Sequence, residues 1–214
     1  MNSRNWVRFF IHTLLLGGVI TIFTGFAVQW EKYKPLFLDF DILEIISIAI
    51  WLLGVGFIFS VISQMGYFAY LTIHRFGLGF FRSLWNPVQL VVIAFVLFDF
   101  IYFRYKEFAG ENESIWPYLL VALFLLLIGI VIAYLKAKQS DKHAFVPGLF
   151  FMVCVTIIEW VPVLRVNNHD WLYLMLYPLL ICNAYQLLML PKYIERSKVE
   201  RPVIRKEQQM TVHK

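Results

Sequence analysis

Apolar residues in this chain occur in long uninterrupted blocks, unlike the alternating or helical stripes of soluble proteins. Six blocks each approach the roughly 20 residues that a helix needs to cross a bilayer. They are Trp6–Val28, Ile42–Gln64, Pro87–Phe103, Pro117–Leu135, Ala144–Val163 and Trp171–Leu190. Because a chain in lipid must satisfy its own backbone hydrogen bonds, each block is predicted to be an α-helix. The pattern predicts an all-α integral membrane protein, with a bundle of about six transmembrane helices over residues 1–191.

The composition agrees with a chain whose surroundings are largely lipid. Of its 214 residues, 60% are hydrophobic and 15% are charged, whereas a soluble domain carries roughly 25% charged residues. Tryptophan and tyrosine concentrate near the ends of the blocks, as they do in the aromatic belts at headgroup level. Cys154 and Cys182 both lie inside apolar blocks, so we expect them to be small packing residues and not a structural disulfide.

Lysine and arginine are distributed unevenly between the two sides of such a bundle. The N-terminal tail, the second loop, the fourth loop and the C-terminal tail carry 14 of them, and the other three loops carry 5. By the positive-inside rule, both termini are expected on the cytoplasmic side of the plasma membrane. The basic cytoplasmic tail, residues 192–214, either holds anionic headgroups or docks a cytoplasmic partner. No stacking platform or phosphate loop accompanies it, so its charge does not indicate nucleic-acid binding.

The second apolar block continues beyond Gln64 as far as Ile73. A helix from Ile42 to Ile73 would be about 48 Å long, which exceeds a hydrocarbon core of roughly 30 Å. Two arrangements remain open: a tilted helix that overhangs the cytoplasmic face, or a break near Gly66. The next stretch, HRFGLGFFRSLWNP, contains glycine and is flanked by arginine. We expect it to be an interfacial segment that precedes a third helix opening at Pro87.

Two acidic residues lie inside predicted helices, where a charge is costly and is therefore a functional candidate. Asp99 lies about twelve residues into the third helix and Glu159 about fifteen into the fifth, so both are expected in the outer half of the bilayer. Arg104 and Arg165 follow near the outer ends of the same helices. The four residues could form ion pairs that fix helix packing, form a ligand or proton site, or extend to the outer headgroups.

Small and polar residues recur at helical spacing on two further predicted helices: Gly56, Ser60, Ser63 and Gln64 on the second, and Asn183 and Gln186 on the sixth. Both groups are expected in the cytoplasmic half of the bilayer. The first helix carries small residues at matching spacing, which lets helices approach closely in lipid. We interpret this face as a helix-packing surface, the alternatives being a polar cavity or a surface for a partner's helix. The fourth helix, Leu125 included, is expected to face mainly lipid.

Signatures of catalysis and of cofactor binding are absent from the sequence. The five histidines are scattered, and there is no HExxH, no Cys/His metal spacing and no P-loop. A nucleophile elbow and a dinucleotide fingerprint are also missing. The sequence therefore predicts a protein that is not an enzyme and that uses neither a metal nor another cofactor.

Three stretches carry a resemblance to a known family: SRNWVRFFIHTLLLGG, FGLGFFRSLWNPVQL and IIEWVPVL. They are similar to the KinB-signalling pathway activation family of endospore-forming bacilli, and the likeness in length and hydropathy extends over nearly the whole chain. The resemblance implies a small polytopic plasma-membrane protein that promotes signalling by a membrane sensor histidine kinase, which feeds the sporulation phosphorelay. It implies the kinase, or its accessory lipoprotein, as the partner. No family active site is carried over.

Residues and resemblance together predict a non-enzymatic membrane accessory protein that helps to activate the kinase. The alternative is a small-molecule or ion transporter or channel. That alternative requires a polar path from Asp99 and Glu159 to the group around Ser60, Gln64 and Asn183. An intramembrane enzyme would require a nucleophile or a metal beside those carboxyls, and the sequence offers neither.

Overall fold

A computed structural model describes residues 3–110 and 114–212 of the chain, with 201–212 described in backbone only. The described residues form helices and no strand, which confirms the all-α class. The helices are α1 (Ser3–Val28), α2 (Trp30–Leu38), α3 (Ile42–Phe81), α4 (Trp85–Phe108), α5 (Trp116–Gln139), α6 (Phe145–Phe150), α7 (Thr156–Val166) and α8 (His169–Val212). Short 3₁₀ turns, Arg82–Leu84 and Lys142–Ala144, precede α4 and α6, and a π-helical turn, Phe151–Val155, joins α6 to α7.

Five helical segments in the described ranges are long and apolar enough to cross a membrane. The longest of them, Ile42–Phe108, has 67 residues and contains both the second and the third predicted spans. α3 and α4 follow each other directly through the 3₁₀ turn, where Arg82 leaves helical geometry with φ 49°. The six crossings, their boundaries and the cytoplasmic termini stay predictions from the sequence. Residues 213 and 214 of the predicted tail lie outside the described residues.

The helix α3 runs without interruption for 40 residues. It begins after Asp41, whose side chain accepts a hydrogen bond from the Glu44 amide, and it continues past Gly66 to Phe81. The alternative of a break near Gly66 is therefore wrong, and residues 76–81 belong to α3 and not to a separate interfacial segment. Gly66 and Gly77 serve close packing instead, because added Cβ atoms there would overlap the Glu159 carboxyl and the Trp85 indole.

The centre of the molecule is the segment formed by α6, the π turn and α7. In Lys142–Val166, 72% of the most apolar window is buried, compared with 22% in Trp116–Gln139. α1, α3 and α8 pack against one another on one side, while α4 and α5 pack against α6 and the π turn on the other. The fifth predicted span is thus the core helix of the bundle, in agreement with its largely apolar sequence.

One face of α5 packs against this central segment. The expectation that Leu125 faces lipid is wrong, since its side chain has no exposed surface. Ala122, Gly129 and Ala133 are buried along the same face, and a Cβ added at Gly129 would lie 3.0 Å from Val153. Small residues therefore let α5 approach the π turn closely, while other positions such as Leu127 are 61% exposed.

Candidate functional site

A buried carboxyl, that of Glu159 on α7, lies at the centre of a polar network between helices. Its side chain is only 6% exposed, and its Oε2 accepts a hydrogen bond of 2.7 Å from Asn183 Nδ2 on α8. The other oxygen, Oε1, lies against the Cα of Gly66 on α3, where a methyl group would overlap it. Gly66 therefore acts as a notch that admits the carboxyl between α3 and α8.

The Asn183 amide extends the network to both neighbouring helices. Its Nδ2 also donates to Thr156 Oγ1 on α7 at 2.9 Å, and its Oδ1 accepts from Ser63 Oγ on α3 at 2.7 Å. Gln186 Nε2, one turn further along α8, donates to Ser63 Oγ at 2.5 Å. The structure thus brings together Glu159, Ser63, Asn183 and Gln186, which the sequence had placed in two separate groups at different depths.

The direction of side chains on antiparallel helices accounts for this convergence. Side chains in an α-helix point towards its N-terminus. α7 and α8 are antiparallel across the short turn at Asn167, so the side chains of Glu159 and Asn183 point towards each other along the bundle. Counting residues from the ends of the spans gives the depth of each Cα in the bilayer but not the distance that a side chain extends along the bundle. For this reason the sequence assigned the two groups to opposite halves of the bilayer.

A second buried contact joins α1 to α3 and α8. Ser60 Oγ donates to the Thr13 carbonyl oxygen at 2.6 Å and lies 3.7 Å from Cys182 Sγ. Gly56 lies against α1, where an added Cβ would be 2.7 Å from the Gly18 Cα. Gly56 and Ser60 therefore lie where two backbones approach closely. Gln64, on the same face, is buried with no hydrogen-bond partner for its amide among the described residues.

The predicted ion pairs do not form in the structure. Arg104 Nη2 donates to Asn167 Oδ1 at 2.9 Å, and its guanidinium lies 5.6 Å from the Phe100 ring centroid and 6.0 Å from that of Trp160. Asp99 is half-buried and Arg165 is exposed. Within the described part of the chain, the salt bridges up to 4 Å all involve Glu200. Glu159 is instead held by an amide and a glycine, and Arg104 by an amide and aromatic rings.

The Glu200 cluster is a feature that the sequence did not indicate. Arg4 Nη2 and Arg196 Nε lie 3.2 and 3.0 Å from its carboxyl oxygens, and Asn5 Nδ2 donates to it at 3.0 Å. The hydrogen bonds from Arg196 and then Arg4 lower the pKa of the Glu200 carboxyl below its usual range, so it is ionised at neutral pH. The cluster joins the start of α1 to α8 in the region that was predicted to be a separate basic tail.

The network around Glu159 is suited to fixing helix positions. Its members are buried hydroxyl, amide and carboxyl groups on three helices, and the described residues contain no group of three or more His, Cys, Asp or Glu arranged to hold a metal. Cys154 and Cys182 are both buried free thiols. Directional hydrogen bonds in an apolar interior favour one relative arrangement of the helices that make them.

Comparisons with known proteins match most of the length of this chain. A family model described as KinB-signalling pathway activation in sporulation matches residues 17–193, which include the whole network. A protein of Bacillus subtilis (strain 168) named KinB-signaling pathway activation protein is 53% identical over 195 residues, covering 90% of this chain and 98% of its own length. No solved structure matches the chain.

Proposed function

Because the chain belongs to the KinB-signalling pathway activation family, we propose that it promotes KinB signalling in sporulation as a non-enzymatic membrane accessory protein. The resemblance noted in three stretches of the sequence is confirmed by these matches. In the proposal, six helices cross the plasma membrane with both termini in the cytoplasm. The partner is a membrane sensor histidine kinase, or its accessory lipoprotein, and the output feeds the phosphorelay.

The observation that carries an accessory role is the hydrogen-bonded network joining α3, α7 and α8 around Asn183. An accessory protein acts through the surface it offers, and that surface is defined only if the helices hold one arrangement. The bonds from Asn183 to Ser63 and Glu159 favour such an arrangement, because an unsatisfied polar group in an apolar interior is costly. The cavities beside Trp51, Trp160 and His74, of about 650, 320 and 650 Å³, are not lined by network residues.

A transporter or channel remains the alternative, and the structure supplies one part of what it requires. Glu159 does join the group around Ser63 and Asn183, as a polar path would demand. Asp99 is not among the hydrogen-bond partners of that group, so the path is not continued from α4. A transport role would make the ionisable carboxyl of Glu159 essential, whereas a packing role requires its shape and hydrogen bond.

The test is replacement of the relative in Bacillus subtilis by this chain. In a strain that lacks its own KinB-signaling pathway activation protein and sporulates only through KinB, we expect the chain to restore spore formation. Asn183→Leu removes the central amide, and this variant should restore fewer spores than the unchanged chain when both are expressed at the same level. Leu127→Phe, on the exposed face of α5, is the matched control and should behave as the unchanged chain. Correctly inserted protein that restores nothing would contradict the proposal.

A further inference from the structure

A cavity of about 650 Å³ lies where the end of α3, the start of α4, the end of α5 and the start of α6 come together. Its lining contains two basic side chains, two histidines and a single acidic residue: Arg82, Lys136, His74, His143 and Asp141. Neither Arg82 nor Lys136 has a carboxylate within 4 Å in the described ranges. The cavity therefore has an excess of positive charge available to an anion.

The backbone at Arg82 is held in an unfavourable conformation. Its φ is 49° and its ψ is −117°, in the region that favours glycine, although Gly79 lies only three residues earlier. Such strain persists only where the surrounding structure enforces it, and it concentrates at functional positions. Arg82, which directly follows α3, contributes its side chain to the cavity wall.

The wall beside Arg82 is built from a fixed pair of rings. Trp85 Nε1 donates to His74 Nδ1 at 2.9 Å, so the neutral histidine carries its proton on Nε2. The Trp85 indole packs against Gly77, where a side chain would overlap it. The site is therefore formed before any ligand arrives, and His74 retains a second nitrogen that is free to donate.

The position of the cavity across the predicted membrane favours a lipid over a soluble anion as its ligand. Lys136 follows the end of the predicted fourth span directly, and Asn86 immediately precedes the third, so both lie at headgroup level. Leu78 lines the cavity and is 48% exposed, and Leu84, which follows the lining residue Ser83 in the sequence, is 63% exposed. An apolar rim next to a basic cavity suits a molecule that has both a phosphate and acyl chains.

We propose that this cavity binds the phosphate headgroup of an anionic phospholipid, such as phosphatidylglycerol, with the acyl chains lying along the exposed leucines. Basic pockets between membrane helices at the headgroup level are recurrent sites of this kind. Arg82 supplies a planar donor pair for the phosphate oxygens and Lys136 a point charge. The proposal rests on the membrane insertion proposed above and is independent of the role in KinB signalling.

The test is lipid binding to the purified full-length chain in neutral detergent, followed by native mass spectrometry. We expect one retained phosphatidylglycerol, bound at least about tenfold more tightly than phosphatidylcholine with the same acyl chains. Free glycerol 3-phosphate at equal concentration should not displace it. Displacement by glycerol phosphate, or equal retention of the two lipids, would overturn the assignment.

Three pairs of substitutions separate the cavity from general surface charge. Arg82→Gly with Lys136→Gln removes both charges while relieving the backbone at residue 82, so thermal stability should be kept and preference for phosphatidylglycerol lost. Arg75→Gln with Lys138→Gln removes two charges from the same helices, outside the cavity lining, and should leave the preference unchanged. Arg82→Lys with Lys136→Arg should keep it. Equal loss in the first two pairs would refute a defined site.

Discussion

The Glu159 carboxyl packs directly against the Gly66 backbone, in space that any larger residue at position 66 would fill. Glu159 stood out in the sequence because an acidic residue in an apolar block is rare, and Asn183 because it shares a polar face with Gln186. Gly66 did not stand out as a packing residue, because a glycine inside a long helix equally suggests a break. Only the register of α7 against α3 shows that this glycine faces the carboxyl.

Gly66→Ala should destabilise the protein by about 1–3 kcal/mol, since the new methyl group displaces Glu159 from Asn183. Gly54→Ala is the control on the same helix, where an added Cβ meets nothing within 4 Å. It should leave stability unchanged or raise it by up to about 1 kcal/mol. Thermal unfolding in one detergent measures both. A double-mutant cycle with Glu159→Ala should show coupling, and additive effects would remove Gly66 from the network.

The chemical identity of residue 159 distinguishes packing from proton or ligand chemistry. Glu159→Gln keeps the shape and the capacity to accept from Asn183, so we expect normal abundance and measurable KinB-dependent sporulation. Glu159→Leu leaves the Asn183 amide without an acceptor and should lower abundance and sporulation together. Immunoblots and spore counts provide the two readouts. A glutamine variant that is present at normal levels and wholly inactive would favour transport or catalysis over the accessory role.

At the scale of elements, the sequence predicted which helices exist more accurately than where they end. Long apolar blocks require helices, so the all-α class followed from composition and block length. α3 continues to Phe81, and Trp85 packs against Gly77 near its end, a side-chain contact that hydropathy does not contain. The burial of Leu125 likewise depends on α5 lying against the π turn, which the sequence did not predict.

The packing of α1 on α3 gives a prediction for Gly56. Its α-carbon faces the backbone of Gly18, and an added Cβ would come within 2.7 Å of the Gly18 Cα. A backbone cannot move aside as a side-chain end can, so Gly56→Ala should lower the free energy of unfolding by about 1–3 kcal/mol. Gly54→Ala, two residues away on the same helix, is again the control. Equal melting temperatures for the two variants would contradict close α1–α3 packing.

At the scale of the molecule, α8 links the network to the far end of the chain. It begins at His169, contributes Asn183 and Gln186, and reaches the Glu200 cluster, where α1 also begins. Sequence reasoning separated residues 192–214 as a basic cytoplasmic tail because lysine and arginine are concentrated there after the last apolar block. Asn5, Arg4 and Glu200 meet only because α1 and α8 lie side by side along their length.

Glu200→Ala should release the start of α1 from α8, because the arginines lose their shared acceptor. Amide hydrogen exchange should rise at residues 3–8 and 193–200, and Glu195→Ala, at an exposed position on α8, should leave it unchanged. Since the folded pKa of Glu200 is lowered, the contact is present above the ordinary carboxyl range and is lost as pH falls through the lowered value. Unaltered exchange in Glu200→Ala would show that the cluster does not hold the two helices.

In the function proposed here, this chain raises KinB activity from within the membrane through a fixed arrangement of its helices. The most direct measurement is the rate of KinB autophosphorylation in membrane vesicles containing KinB and equal amounts of the unchanged chain, Glu159→Gln or Asn183→Leu, or no chain. We expect a high rate with the unchanged chain, a substantial rate with Glu159→Gln, and a low rate with Asn183→Leu or without the chain. The same rate in all four preparations would contradict it.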